Sequence, residues 1–318
     1  MSESAQMIVD VAGRLFADHV DKALLDRAET GEPAQALWQH IVEAGFHEVG
    51  SLASGTGNDE LFALLLCAGE HAVPLPLAET MLGNAWISGT PVLTSIGMFE
   101  GGIVKDVPWG RAVGRVIGIT EGSSEVTVAD KFVVARQKSN LAGEPRDDIS
   151  LSGDEVMHSL DVDPYALLCL SRCVQMAGGL RTVLSMSLGY ASEREQFGRT
   201  ISKFQAIQHT LAAMAAETAA ACRAADVAIA ASSGPAPRVA VAAAKSRIGE
   251  AVGIVAELAH QVHGAMGFTY EHKLHHLTRR LWAARDEYGN ETTWQEALGR
   301  QVAGVGADGV WDFLTART

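Results

Sequence analysis

Apolar positions recur at helical spacing through the first 88 residues. Met7, Ile8, Val11, Leu15 and Phe16 share one face of a first helix. Pro33 opens a second, which carries Leu37, Trp38, Ile41 and Val42 and is stopped by Gly45. Gly50–Asn58 reads as a loop. Asn58 or Asp59 caps a third helix over Leu61–His71, Val73–Pro76 breaks it, and a fourth covers Leu77–Trp86. Near Gly89 the period changes. Short β-branched runs follow at Val92–Ile96, Gly102–Val107, Val113–Thr120, Glu125–Val128 and Phe132–Ala135, separated by Gly, Asp and Pro. Ser139–Asp148 is polar and reads as a loop, and Glu155–Val162 reads as a last strand.

Pro164 returns the chain to a helical period. Tyr165–Arg194, Phe204–Ala231 and Val239–His263 are long helices joined by short turns. Shorter helices are expected around His275–Asp286 and Thr293–Val302. Long helices on short turns argue for an antiparallel bundle, and their dense alanine allows close helix approach. The predicted class is mainly α. It has an N-terminal helical domain (1–88), a small β domain (89–162) and a C-terminal four-helix bundle (163–318).

Composition narrows the function classes. The 318 residues are 47% hydrophobic and 20% charged, a globular balance with ample core. The net charge of −13 excludes a general nucleic-acid binder, which needs a basic face. Four cysteines, Cys67, Cys169, Cys173 and Cys222, make no CxxC pair and are expected to be buried thiols. Met1–Gln6 lacks a basic leader region, and no run of ~18 apolar residues occurs. A soluble, cytoplasmic protein is expected.

Two segments carry candidate chemistry. In Tyr190–Gln208 (YASEREQFGRTISKFQAIQ) one helix ends near Phe197–Gly198 and another begins near Ser202. Arg194, Gln196 and Phe197 sit at the corner. A guanidinium makes charge-assisted bonds to phosphate oxygens, so the corner suits a pyrophosphate and its adenosine. The alternative is that Arg194 complements the helix dipole and Phe197 is core. In Gln261–Thr269 (QVHGAMGFT), Gly264 and Gly267 either end a helix or let backbone approach a ligand.

Together these segments resemble the acyl-CoA dehydrogenase family. That family carries an Arg-x-x-Phe-Gly corner before a Phe-Gln helix start, here Arg194, Phe197, Gly198, Phe204 and Gln205. It also carries Gln-x-x-Gly-Gly-x-Gly before an aromatic, here Gln261, Gly264, Ala265, Gly267 and Phe268, with Ala265 replacing the second glycine. The match covers roughly residues 165–300. The resemblance implies α,β-dehydrogenation of an acyl-CoA thioester with FAD, and electrons passing to an electron-transfer protein. It implies that FAD lies at a subunit interface. Arg194, Gln196 and Phe197, with Gln261, Gly264 and Ala265, would hold its ADP portion.

The resemblance is uneven. The family's catalytic glutamate lies in Tyr-Glu-Gly-Thr. Here Tyr288 takes the tyrosine's place, Gly289 falls at the glutamate, and Glu291 is two residues later. The alternative base position on the first bundle helix, around Leu167–Leu170, holds no carboxylate. The family's Thr-Glu-Pro and Gly-Ser-Asp flavin stretch survives only as an echo in Val92–Ile96. The expected arrangement is therefore a non-catalytic subunit that grips the ADP end of a FAD shared with a longer dehydrogenase subunit. Polycyclic steroid side-chain CoA esters are the substrates suggested by analogy with short subunits of this kind. The alternatives are a self-sufficient homo-oligomer with Glu291 as base, and a flavin-free scaffold or regulatory subunit.

Other signals are set aside. His260, His263, His272, His275 and His276 cluster, and His272 and His276 have the spacing of a shared helix face, but surface or bundle histidines explain them. No metal site is expected. Gly55-Thr56-Gly57 lacks the Lys-Ser/Thr of a phosphate loop, and Glu121–Glu125 reads as a turn.

Overall fold

The computed structural model describes residues 2–51, 54–87, 92–234 and 237–315. It divides into two compact units, Met1–Ser171 and Arg172–Thr318. The predicted boundary at 88/89 lies outside the described residues.

The first unit begins with helices α1 (Glu3–His19), α2 (Lys22–Ala28), α3 (Gln35–Glu43), α4 (Asn58–Glu70) and α5 (Leu77–Trp86). Three of these starts have a side-chain cause. Ser2 caps α1 and Asp21 caps α2, each accepting a backbone N–H of the first turn. Glu60 reaches back to the Gly57 amide at the start of α4. Ser2 and Ser4 also donate to Glu60, which ties the N-terminus to the helix against which α1 packs. α4 buries nearly all of its length, from Leu61 to Ala68.

Seven strands form one sheet in the order β5-β6-β2-β1-β3-β4-β7. They are β1 (Thr94–Glu100), β2 (Ile103–Pro108), β3 (Arg115–Ile119), β4 (Glu125–Ala129), β5 (Phe132–Arg136), β6 (Arg146–Leu151) and β7 (Val156–Ser159). Among the described residues only the β1–β3 pairing is parallel. Val104, Val107, Val116 and Ile149 form a fully buried cluster on the sheet. The expected loop over Ser139–Asp148 is corrected. β6 begins at Arg146 and is an interior strand between β5 and β2. Its charged residues are accommodated by pairing: Asp147 is fully buried and accepts both arms of the Arg111 guanidinium, at 2.9 and 2.5 Å.

The chain then becomes helical. α6 (Pro164–Glu193) leads into a hairpin of β8 (Glu195–Gln196) and β9 (Arg199–Thr200). α7 (Gln205–Ala231), α8 (Pro237–His263), α9 (Leu274–Asp286), α10 (Glu291–Val305) and α11 (Val310–Thr315) follow. α8 is the central element of the second unit and packs against α7, α9 and α10. α7 buries a single stripe, Leu211, Met214, Thr218, Ala221, Ala225 and Ala228, the spacing of a helix with one covered face. Cys67, Cys169 and Cys173 are buried thiols as expected, whereas Cys222 is only half-buried. Among the described residues no helix is long and apolar enough to cross a membrane.

Candidate cofactor-binding site

The Arg194 corner differs in form from the helix–turn–helix expected. α6 stops at Glu193, and the next residues fold into the β8–β9 hairpin. Phe197 and Gly198 occupy its tip, with φ of 52° and 75°. Two consecutive positive φ values are those of a type I′ hairpin turn. Glycine adopts this freely, but in phenylalanine it costs on the order of 1–2 kcal/mol. The tip is held by Phe197, whose ring meets Phe204 edge-on at 6.1 Å between centres, and by contacts behind it. Ile201 N–H donates to the Arg194 carbonyl at 2.8 Å, and the Arg199 guanidinium lies 4.2 Å from the centre of the Phe204 ring.

The Phe197 ring is 92% exposed, which excludes the reading of Phe197 as core. Arg194 and Gln196 are exposed as well. Among the described residues the side chains of these two have no hydrogen-bond or ion-pair partner. A strained tip that displays an unburied aromatic ring beside a guanidinium does little for this chain alone, and such strain gathers where something else is contacted.

The second motif ends α8. Gln261 is exposed and its amide donates to Glu257 one turn earlier, at 3.1 Å. Gly264–Phe268 forms a short 3-10 turn with Gly264 at φ 57°. A side chain at Gly264 would meet nothing within 4 Å. Ala265 is exposed, and Phe268 and Tyr270 stand 73% and 78% exposed.

The two motifs meet through residues that sequence reasoning passed over. Tyr190, one turn before Arg194, stacks on His263, the residue before Gly264, with ring centres 4.6 Å apart. His272 packs edge-on against both rings. His272 precedes α9, so His272 and His276 do not share a helix face. No local pattern could reveal the stack, because its members come from α6, α8 and the segment after the turn.

These donors fit the ADP end of FAD: an unpaired guanidinium for pyrophosphate, exposed rings for adenine, and an open glycine that admits close approach. The Val92–Ile96 segment offers less to a flavin ring. Thr94 and Ser95 are fully buried. The Thr94 hydroxyl donates to the Val92 carbonyl, and the Thr94 backbone is tied on both sides to Thr80.

The segment that the resemblance aligns with the family's glutamate forms a structural knot. Tyr288 and Gly289 both have positive φ, 56° and 84°. The Tyr288 carbonyl accepts from Trp294 Nε1 at 2.9 Å. The Arg172 guanidinium, paired with Glu287 at 2.5 Å, lies 5.6 Å from the Tyr288 ring centre. Lys245 is fully buried and donates to the Ala284 and Glu287 carbonyls at 2.9 and 2.7 Å. Glu291 is the first residue of α10 and holds Arg285 with both carboxylate oxygens. Its Oε2 would lie 3.0 Å from a side chain at Gly249. Glu291 thus joins three helices instead of standing open.

Comparison with known proteins defines the class. Residues 169–302 match the family model described as acyl-CoA dehydrogenase, C-terminal domain. The chain is 27% identical over 279 residues to acyl-CoA dehydrogenase FadE34 of Mycobacterium tuberculosis. That match covers 76% of this chain but spans only 38% of FadE34's length. It is 26% identical over 312 residues to acyl-CoA dehydrogenase IpdE2 of the same organism, covering 87% of this chain and 91% of IpdE2. Among solved structures it is similar to the ChsE4–ChsE5 complex from Mycobacterium tuberculosis, with TM-score 0.84, 20% identity and coverage of 96% and 99%. It is also similar to a variant of the Tcur3481–Tcur3483 steroid ACAD, with TM-score 0.79, 20% identity and coverage of 95% and 98%. The fold is that of the acyl-CoA dehydrogenases. Over residues 169–302 the chain is similar to the acyl-CoA dehydrogenase family.

Proposed function

We propose that this chain is the nucleotide-holding subunit of a FAD-dependent acyl-CoA dehydrogenase, working in the cytoplasm with a longer dehydrogenase subunit that brings the flavin cradle and the catalytic base. The observation that carries this reading is a contrast. The Arg194 and Gln196 side chains are exposed and without a polar partner among the described residues, while the place that the resemblance gives to the family's base is packed into the Arg172–Glu287–Lys245 knot. When bound, FAD supplies the hydride acceptor for α,β-dehydrogenation of an acyl-CoA thioester. Arg194 would bind the pyrophosphate, with Gln196 and Phe197 on the adenosine side. Gly264 and Ala265 would line the ADP, and Gln261 would turn from Glu257 to join them. An electron-transfer protein completes the turnover. The likeness to a steroid ACAD structure supports a polycyclic steroid side-chain CoA ester as substrate, and the likeness to a complex named for two proteins supports a heteromer.

Purified alone, the chain is expected to carry little FAD; co-expressed with a longer homologue it should give a yellow complex. Stoichiometric flavin and full turnover from the lone chain would overturn this reading. In the complex, Arg194→Ala should weaken FAD retention by about 1.5–3 kcal/mol, or roughly 10- to 150-fold. Unchanged flavin content would remove Arg194 from the site. Glu291→Gln tests the self-sufficient alternative. Turnover per bound flavin should survive the substitution, whereas a catalytic base would lose orders of magnitude in kcat. The flavin-free scaffold reading is tested by the flavin absorbance of the assembled complex, with and without Arg194.

A further inference from the structure

The end of the second unit that carries the Gly264–Phe268 turn is seated on histidines that the proposed function leaves unused. Gly267 is buried directly against them. A side chain there would lie 3.0 Å from His263 Cβ and 3.2 Å from His260 Nδ1. His260 stacks with two rings, Phe268 at 4.6 Å and Trp282 at 6.0 Å between ring centres. Its Nε2 bonds the Thr278 hydroxyl at 3.0 Å. His263 lies under Tyr190 and beside His272. Its Nδ1 donates to the Ala259 carbonyl at 2.8 Å, which fixes the tautomer and leaves Nε2 as a buried lone pair. Among the described residues that Nε2 has no hydrogen-bond partner.

A proton added at His263 Nε2 would therefore place an N–H and a charge between two rings with no acceptor, which is strongly unfavourable. The backbone of Gly267 favours a charged His260 and that of Ala259 a charged His263, but burial outweighs both. Tyr190 faces His263 from α6, Thr278 and Trp282 face His260 from α9, and His272 acts on both imidazoles from the segment after the turn. Glu257 on α8 is engaged by Gln261. No carboxylate contributes to the titration of His260, His263 or His272.

We propose that the Gly264–Phe268 turn is a pH-gated element, which keeps its shape while His260 and His263 are neutral and is released when they take up protons. The identity of the ligand thereby dropped, the phosphate-bearing end of a nucleotide, rests on the proposed function; the release itself does not. Burial holds both imidazoles below the ordinary 6.5, against the opposing backbone bonds of Gly267 and Ala259, and the nearby His272 adds to the depression. The released turn, with ordinary histidines, thus binds more protons than the closed one. Release is not favoured above pH 6.5, grows as pH falls below it, and levels off under the depressed native values.

Hydrogen exchange on the full chain without nucleotide tests this at about pH 7.5 and about pH 5.5, either side of the imidazole range. The reporter is the Thr269 amide, bonded to the Met266 carbonyl at 3.2 Å. After correction for intrinsic rates, its protection should fall severalfold at the lower pH. Amides in the middle of α7 should not change. The double variant His260→Gln/His263→Asn keeps amide groups where Nε2 and Nδ1 make their bonds, and should abolish the pH effect. Equal protection of the wild-type turn at both pH values would overturn the proposal, as would a pH effect that persists in the double variant. If the double variant misfolds, the wild-type comparison alone decides. ADP binding measured on the same samples separates the two readings. Opening with a parallel loss of ADP affinity supports both. Opening with unchanged ADP affinity supports the gate and removes the turn from the nucleotide site.

Discussion

Asp147→Ala is expected to destabilise the protein by about 3–5 kcal/mol, the range for removing one partner of a buried ion pair. The side chain of Asp147 is fully buried in an interior strand. It gathers four donors. Arg111 gives Nε, Nη2 and its backbone N–H, and Lys138 gives its backbone N–H at 3.3 Å. The pair holds the guanidinium above its ordinary range, chiefly through the hydrogen bond to Asp147. The Arg111 side chain is 29% exposed and can turn to water after truncation. The two backbone amides cannot, and they carry most of the loss. Asp147→Asn keeps the shape and one good acceptor, so it should cost visibly less. Urea unfolding read by circular dichroism gives the comparison, with an unchanged m-value as the sign of a stability effect alone. A loss below about 1 kcal/mol, the level of an ordinary substitution, would mean that the donors find other partners and that this strand is held by its apolar neighbours.

Asp147 also shows where the sequence was legible and where it was not. The long helices announce themselves by period, and Pro237 and the Gly264 turn bound α8 within two residues of the expected Val239–His263. β6 hides because Arg146, Asp147 and Asp148 look like solvent-facing polar residues, and only their partners on distant segments make them strand interior. α2 has seven residues, too few to establish a period. The β8–β9 hairpin has two residues per strand and Phe-Gly at its tip instead of Asn-Gly, so no alternation or turn signal marks it. In the site, Arg194 and Phe197 were readable from residue type and motif, since a guanidinium and a ring have recognisable uses. Tyr190, His260 and His263 were not. Their significance is stacking between α6, α8 and the segment after the turn, and along the chain they read as bundle residues.

Lys245→Met should cost about 2–5 kcal/mol, and it probes the turn on which the non-catalytic reading depends. Lys245 is fully buried and caps the end of α9 through the Ala284 and Glu287 carbonyls. Methionine fills similar space and removes the expense of enclosing an ammonium. It also leaves two carbonyls unsatisfied, each worth about 1–3 kcal/mol. The loss should loosen Glu287–Gly289, where Arg172 pairs with Glu287 and Trp294 bonds the Tyr288 carbonyl. That segment is the one the resemblance aligns with the family's glutamate, so two measurements on one variant separate structure from chemistry. If the segment is only a knot, the variant unfolds at lower denaturant, while turnover per bound flavin in the assembled complex stays within about twofold, as expected when no transition-state contact is lost. A fall in kcat of a hundredfold or more, about 2.7 kcal/mol of barrier, with flavin content intact, would mean that the loosened turn had been positioning a reacting group. The division of labour between this chain and a longer partner would then be wrong.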